Sequence, residues 1–357
     1  MHYPRLEIRL EIIRKNVTTI LEKCDKHSLM PTFVTKGFLA DFPLLTTLYK
    51  GGVRRFADSN MINLLRMRAM FGKEVELFLI RLPMQEELEL VCQNDIVPLI
   101  SHWEVLEALH TTARKAKKRQ RVMLAVEGGD AREGFLPEEF EGIEGRVRDL
   151  SWLSVEGIAT TLACLSGVLP DRGVVKRLTT LKKELRQKLG KDHFILSVGG
   201  TTFFELWREN ETWMDIDEIR FGEAFLFGSD ISRKKTIEWL SQGAFLLYAE
   251  IVEVRSKKVT EEVERGFDAF GRSLSLFPSA PRRRALVALG KQDIDESQLY
   301  FWDGNVTIIG ATSNYLVLDV EESDKGYKVG DIVCFYPGYG AVLRAFLSPY
   351  VEKVYVS

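Results

Sequence analysis

Cysteine and histidine are scarce in this chain of 357 residues, with four of the first and five of the second. Cys24, Cys92, Cys164 and Cys334 lie far apart and form no Cys-x-x-Cys pair, which argues against a disulfide framework or a zinc site. The histidines show no His-Glu-x-x-His or comparable spacing, so no structural or catalytic metal is expected. No apolar run approaches the roughly 20 residues that a membrane-spanning helix needs. A dominant charge is also missing. Lys and Arg number 49 against 51 Asp and Glu, a net charge of -2, so no electrostatic footprint for nucleic acid stands out. The one basic run, residues 114–121 (RKAKKRQR), stops just before an apolar run and reads as a solvated helix end. The first residues, MHYPRLEIRL, alternate charged and apolar side chains without the apolar core of a secretory leader. A cytoplasmic protein that engages neither membrane nor nucleic acid is the expectation.

What the chain does have is a rhythm. Eight short apolar runs alternate with longer amphipathic stretches: residues 31–36 (PTFVTK), 55–59 (RFADS), 75–81 (VELFLIR), 96–101 (IVPLIS), 122–127 (VMLAVE), 155–162 (VEGIATTL), 194–198 (FILSV) and 219–227 (IRFGEAFLF). Residues 60–70 carry apolar side chains at helical spacing behind Asp58 and Ser59, which can cap. Residues 174–189 set an apolar stripe opposite a Lys and Arg face, and Gly190 can end that helix. The alternation predicts a (β/α)8 TIM-type barrel over residues 10–238, with a doubly wound open sheet as the competing topology. After about Leu240, strand-like runs follow one another without helices, at 245–254, 284–289, 306–309, 315–320, 331–335 and 341–346, with Gly-containing turns between them. A C-terminal β domain over residues 239–357 is expected, and the opening strand within residues 1–9 joins its sheet.

In such barrels the functional residues sit at the carboxyl ends of the strands. Lys36, Asp58, Ser59, Arg81, Ser101, Glu127, Thr161 and Arg220 fall there. Lysine is seldom placed behind an apolar strand without a task, and a barrel mouth can tune it towards nucleophilic use, although a lysine that snorkels to the rim would look the same. Gly199-Gly200-Thr201-Thr202 is a glycine turn that leads two hydroxyls into a predicted helix after the seventh strand. That is the usual phosphate corner of this architecture. Lysine for an aldehyde and a cradle for a phosphate together suit pyridoxal 5'-phosphate.

The segments YPRLEI, DSNMINLLRMR, RLPM, GDAREGF, RFGEAFLFG, GFDAFG, ALGKQDID, GATSNYLVLDV and YKVGDIVCFYPGYGAVLRAF occur in order along nearly the whole chain. They resemble the fold-type III pyridoxal-phosphate family of alanine racemase and its relatives, most of all its ornithine racemase branch. The resemblance implies an amino-acid racemase acting on a free amino acid as a head-to-tail homodimer. It implies that Lys36 is the Schiff-base lysine and one of two proton-transfer groups. Arg132 takes the place of an arginine near the cofactor's phenolic oxygen that also holds the substrate carboxylate. Arg220 takes the place of the arginine set against the pyridine nitrogen, where related decarboxylases have a glutamate. Gly200, Thr201, Thr202, Gly222, the backbone of Glu223 and Tyr339 are implied as phosphate contacts. Ser313 and Asn314 match a loop that enters the neighbouring subunit's site.

Three departures stand out. Thr201-Thr202 replaces the usual Asn-Ser. Asn314 stands where ornithine racemases tend to have an acidic residue, so a charge that could pair with a distal ammonium is absent, which weakens the case for a basic substrate. The segment Gly290-Lys291-Gln292-Asp293 lacks the tyrosine that alanine racemase uses as second base. Ser313, Lys291 and Cys164 are the replacements, with Ser313 favoured because related enzymes place a proton-transferring cysteine there. Two alternatives stay open: an amino-acid decarboxylase of the same fold, disfavoured by Arg220, and a non-catalytic pyridoxal-phosphate-binding relative, disfavoured by the β domain.

Overall fold

A computed structural model describes residues 2–209, 215–258, 264, 266–271 and 281–357. The chain divides into two compact units, Ile12–Gln242, and Met1–Glu11 together with Gly243–Ser357. After β1 (Arg5–Arg9) and α1 (Leu10–Lys26) come eight strands: β2 (Met30–Val34), β3 (Arg55–Asp58), β4 (Glu76–Leu79), β5 (Ile96–Ile100), β6 (Gln120–Ala125), β7 (Leu153–Thr161), β8 (Ile195–Gly199) and β9 (Glu218–Phe221). Every pairing among them is parallel, and β2 pairs with β9, so the sheet closes. The barrel expectation therefore holds and the open sheet does not. Helices α2 (Phe42–Lys50), α3 (Met61–Phe71), α4 (Leu88–Gln93), α5 (Trp103–Lys115), α6 (Ile143–Asp149), α7 (Arg172–Lys188), α8 (Thr201–Glu209) and α9 (Ala224–Phe227) follow the strands.

Strands covered on both faces read as nearly continuous apolar runs, and β5 (IVPLI) is buried at all of its positions. Val34, Ala57, Phe78, Val97, Leu99, Met123, Ala125 and Ala159 form one buried cluster, each large side chain contributing roughly 1.5–3 kcal/mol by leaving water. Phe33 meets Phe225 edge to face at 5.2 Å, anchoring β2 beneath the residue that matters next.

Local details refine the sequence reading. The cap of α3 is Asn60, whose side chain accepts from the Ile62 N–H, because Asp58 is engaged elsewhere. The run 219–227 breaks after Phe221, and Ala224–Phe227 is one helical turn. The basic run at 114–121 is only partly a solvated helix end. Its last member, Arg121, lies on β6 and pairs with Glu76 at 2.5 Å.

The other unit holds β1, then β12 (Phe245–Lys257), β13 (Arg282–Val287), β14 (Leu299–Phe301), β15 (Thr307–Ala311), β16 (Leu316–Asp319), β17 (Ile332–Pro337), α10 (Tyr339–Leu347) and β18 (Glu352–Val356). The two-residue strands β10 (Ser229–Asp230) and β11 (Lys235–Thr236) precede it, as a hairpin in the barrel unit. The sheet order is β14-β17-β12-β13-β16-β15, and β1 pairs with β12 and β18. One expected strand is wrong: residues 341–346 lie in α10. Their buried members, Ala341, Val342, Ala345 and Phe346, recur at helical spacing, and Ala, Leu and Arg favour the helix.

Candidate active site

Lys36 lies one residue past β2, behind Thr35, in a short 3₁₀ turn over Lys36–Phe38. The turn is tightly held. The Thr35 N–H donates to the Ala57 carbonyl at 2.9 Å, and the Thr35 hydroxyl donates to Asp58 Oδ2 at 2.6 Å. Asp58 ends β3, is fully buried, and also accepts from the Asn60 N–H at 2.8 Å and from Asn63 Nδ2 at 3.2 Å. Burial raises the Asp58 carboxyl above its usual value, while these bonds and the charge of Lys36 oppose the rise. Just beyond, Leu39 and Ala40 take φ values of 54° and 50°, a left-handed backbone that side-chain-bearing residues adopt at a cost. The lysine is thus half-buried on a rigid, slightly strained turn.

Arg220 stands on β9, in register with Thr32 of β2, at the same end of the barrel. It is buried, and its Nη1 donates to Ser197 Oγ at 2.5 Å. Its Nη2 donates to the Thr160 carbonyl at 2.7 Å and to Thr161 Oγ1 at 3.0 Å. Nε has no hydrogen-bond partner among the described residues. Burial lowers the guanidinium pKa to about 10, and the Glu218 and Glu133 carboxylates oppose that change. Gly199, opposite Arg220, leaves the room: a Cβ there would lie 2.5 Å from Nη2 and 2.8 Å from Thr161 Oγ1.

Gly200 has φ +112°, which permits the sharp entry into α8. The Thr201 hydroxyl accepts from the Ala224 N–H at 3.2 Å. The Thr202 hydroxyl is buried beside the Asp230 carboxylate without a geometrically sound hydrogen bond. Gly222 and Glu223 lie between β9 and α9. The Glu223 carboxylate turns away to accept from Ser229 Oγ at 2.7 Å and from the Ile231 N–H at 2.9 Å. An idle buried hydroxyl, a glycine entry to a helix and an arginine with a free Nε fit a phosphorylated pyridine ring carrying an aldehyde.

Burial pushes the Glu223 carboxyl up to about 7, with the bonds from Ser229 and Ile231 opposing. Because the folded state then binds the proton more tightly than the unfolded chain, this group favours folding below the usual glutamate range. That contribution is lost as pH rises through 7. Glu223→Gln is expected to flatten the fall in melting temperature between pH 5 and pH 8, read by thermal melts across that range.

Arg132 lies on the loop that leaves β6 and returns at the bridge between Val126 and Phe135. Glu127 organises the loop by accepting from the Ala131 N–H at 3.2 Å and the Arg132 N–H at 3.1 Å. Asp130 ties it to the segment after β7 through the N–H groups of Cys164, Leu165 and Ser166. Gly134 has φ +148°, and a Cβ there would sit 2.1 Å from the Glu127 nitrogen, so no other residue fits. The Arg132 guanidinium grips Glu133 through Nε and Nη2, and its Nη1 donates to Cys164 Sγ at 2.6 Å. The charges of Arg132 and Glu133 both act on Arg220, so the loop stands over the same mouth.

The remaining expected site residues belong to the other unit. Ser313 and Asn314 are exposed between β15 and β16, and Ser313 Oγ donates to Asn314 Oδ1 at 3.2 Å. This tip packs on Gly290, where a Cβ would lie 2.2 Å from the Ser313 carbonyl oxygen, and the Gln292 N–H donates to that same oxygen at 3.0 Å. Lys291 is buried, its ammonium 3.1 Å from Glu296 and 4.2 Å from the centre of the Phe270 ring. Tyr339 opens α10, and Arg344 of that helix donates to the Lys291 carbonyl at 2.7 Å.

The barrel unit thus gathers Lys36, Arg132, Gly200, Thr201, Thr202, Arg220, Gly222 and Glu223 at its strand ends. Ser313, Asn314, Lys291 and Tyr339 share the other unit. Sequence reasoning missed Ser197, Glu218 and Glu133. The signal for Glu218 was its place two residues before Arg220 on one strand, which puts both side chains on one side.

A closed parallel barrel followed by an antiparallel β unit, with a lysine just past the first barrel strand, defines a class. The family description "Alanine racemase, N-terminal domain" matches residues 8–230. The chain belongs to the alanine racemase family. It is 35% identical to the lysine racemase of Thermotoga maritima over 356 residues, 99% of each chain. It is 32% identical to the ornithine racemase of Acetoanaerobium sticklandii over 354 residues, 98% of this chain and 99% of that one. Its fold is similar to the crystal structure of alanine racemase from Bartonella henselae with covalently bound pyridoxal phosphate, with TM-score 0.75, 17% identity and 99% of each chain covered. The protein is an amino-acid racemase, an isomerase.

Proposed function

We propose that this racemase uses pyridoxal 5'-phosphate and inverts the α-carbon of a free amino acid with a basic side chain, of the lysine or ornithine class. The observation that carries the reading is the pairing of tasks at one barrel mouth: a rigidly mounted, half-buried Lys36 and a buried Arg220 with Nε left over. Lys36 would hold the cofactor's aldehyde carbon. Thr201, Thr202 and the backbone around Gly200, Gly222 and Glu223 would hold its phosphate, with Tyr339 as a further phosphate contact. Arg220 would face its ring nitrogen. When bound, the cofactor supplies an electron-withdrawing ring that spreads the charge left when the α-proton departs.

The chain's own groups do the rest. Arg220 is a permanent donor and a poor acid, so it gives the ring nitrogen a hydrogen bond without a proton, which limits that charge spreading and favours prompt return of the proton. Arg132 holds the substrate carboxylate, oriented by Glu133 and Cys164. Lys36 moves a proton at one face of the α-carbon, and Ser313 of the partner subunit moves one at the other. Two groups of opposite facing are what inversion requires. Lys291 is less suited to that task, because its ammonium is already paired with Glu296 and buried. Cys164 already accepts a hydrogen bond from Arg132. Both relatives reported above are named for racemases of basic amino acids. Asn314 supplies no countercharge, but its amide oxygen can accept from a distal ammonium.

The test is chiral chromatography of L-lysine, L-ornithine, L-norleucine and L-alanine after incubation with cofactor-loaded protein. Lysine or ornithine is expected to reach equal amounts of both enantiomers first. Faster racemisation of norleucine or alanine would remove the basic side chain from the proposal.

A further inference from the structure

Beneath Arg220 lies a chain of charges running down the inside of the barrel. Ser197 on β8 is directly opposite Glu218 on β9, and Gly199 is opposite Arg220. The Ser197 hydroxyl accepts from Arg220 Nη1 at 2.5 Å and donates to Glu218 Oε1 at 2.8 Å, so its one proton and one of its lone pairs are both committed. Glu218 Oε2 takes Arg55 Nη2 at 2.5 Å. Arg55 in turn pairs with Glu76, and Glu76 with Arg121 at 2.5 Å. Arg55 is further fixed by Thr32, whose hydroxyl it reaches at 3.3 Å, and by the Phe78 ring at 4.7 Å. Ser197, Glu218 and Arg220 are 2%, 1% and 3% exposed.

We infer that Glu218, acting through the Ser197 hydroxyl, is a positioning residue for Arg220 and decides which guanidinium nitrogen is left for the cofactor ring. The inference rests on the proposed pyridoxal-phosphate reading. A buried guanidinium can point several ways, and each orientation offers a different nitrogen. Here one N–H of Nη1 is spent on Ser197 and both of Nη2 on Thr160 and Thr161, which leaves Nε as the guanidinium nitrogen with no hydrogen bond among the described residues. The Ser197 hydroxyl can serve Nη1 as an acceptor only while its proton is turned the other way, and the Glu218 carboxylate is the acceptor that turns it. Glu218 also supplies the negative charge that a buried cation requires. Three arginines and two carboxylates alternate along the chain, and Arg220 stands at the end nearest the mouth. None of these residues below Arg220 need touch substrate or cofactor to act.

The test uses the ¹⁵N spectrum of cofactor-free protein, in which Arg220→Lys identifies the Arg220 Nε–H resonance by removing it. Ser197→Ala removes only a hydroxyl, and it is expected to shift or broaden that resonance, while Ser197→Thr restores it. In the loaded enzyme the same alanine variant is expected to lower kcat about 10-fold with KM within about 2-fold, the size of losing one hydrogen bond to a charged group. Glu218→Gln should reproduce both effects where it folds. An unchanged resonance in Ser197→Ala would overturn the inference even if the enzyme racemises as proposed. So would a threonine variant as impaired as the alanine one. Because the spectrum needs no cofactor, the charge chain remains testable even if the proposed function fails.

Discussion

Lys36→Ala is expected to leave a folded protein that turns over no amino acid, a loss of more than about 10⁴-fold in kcat/KM. The size follows from two tasks on one side chain, holding the cofactor and moving the α-proton. The folded state should survive because Lys36 is half-buried and its turn is held by backbone and Thr35–Asp58 bonds that alanine keeps. Two readings separate the tasks: the visible absorbance of the lysine-bound cofactor should vanish, and melting should stay cooperative. Turnover retained by the alanine variant would end the assignment of Lys36.

Ser313→Ala is expected to lower turnover by about 10²–10⁴-fold, the range for removing one general acid–base group, while leaving the cofactor absorbance in place. The residue is exposed on its own unit, at a tip braced by Gly290 and Gln292, which suits a side chain that works in a neighbouring copy. Mixing is the sharper measurement. In a head-to-tail dimer, a Lys36→Ala subunit lends its intact Ser313 to a Ser313→Ala subunit, whose Lys36 is intact, and one site of the pair is whole. Dissociating and recombining equal amounts of the two inactive proteins should recover about a quarter of the wild-type activity. Recovery of nothing, with dimers shown to exchange, would place the second proton-transfer group in the same chain as Lys36.

Most of the barrel was legible because closure by parallel strands demands eight apolar runs with helices between them, and that rhythm survives in one dimension. Where runs mixed both periodicities, legibility failed. AVLRAF alternates well enough for a strand, but its burial follows helical spacing once Gly338 starts the turn. The places of Lys36 and Arg220 were readable as strand ends, whereas Arg132 was singled out by the family resemblance alone. Their supports were not legible. Ser197 and Glu218 meet only because β8 and β9 pair in one register, and a slip by one residue between the strands would put the two side chains on opposite faces of the sheet. Glu133 and Cys164 reach Arg132 through a loop shaped by Gly134 and Asp130, which no periodicity records.

The most direct measurement is α-proton exchange in deuterium oxide, followed by NMR for both enantiomers of lysine and ornithine with the cofactor-loaded wild-type protein. Loss of the α-proton signal from either enantiomer is expected, together with decay of optical purity. Cofactor bound at Lys36 with no exchange on any amino acid offered would contradict the proposed function.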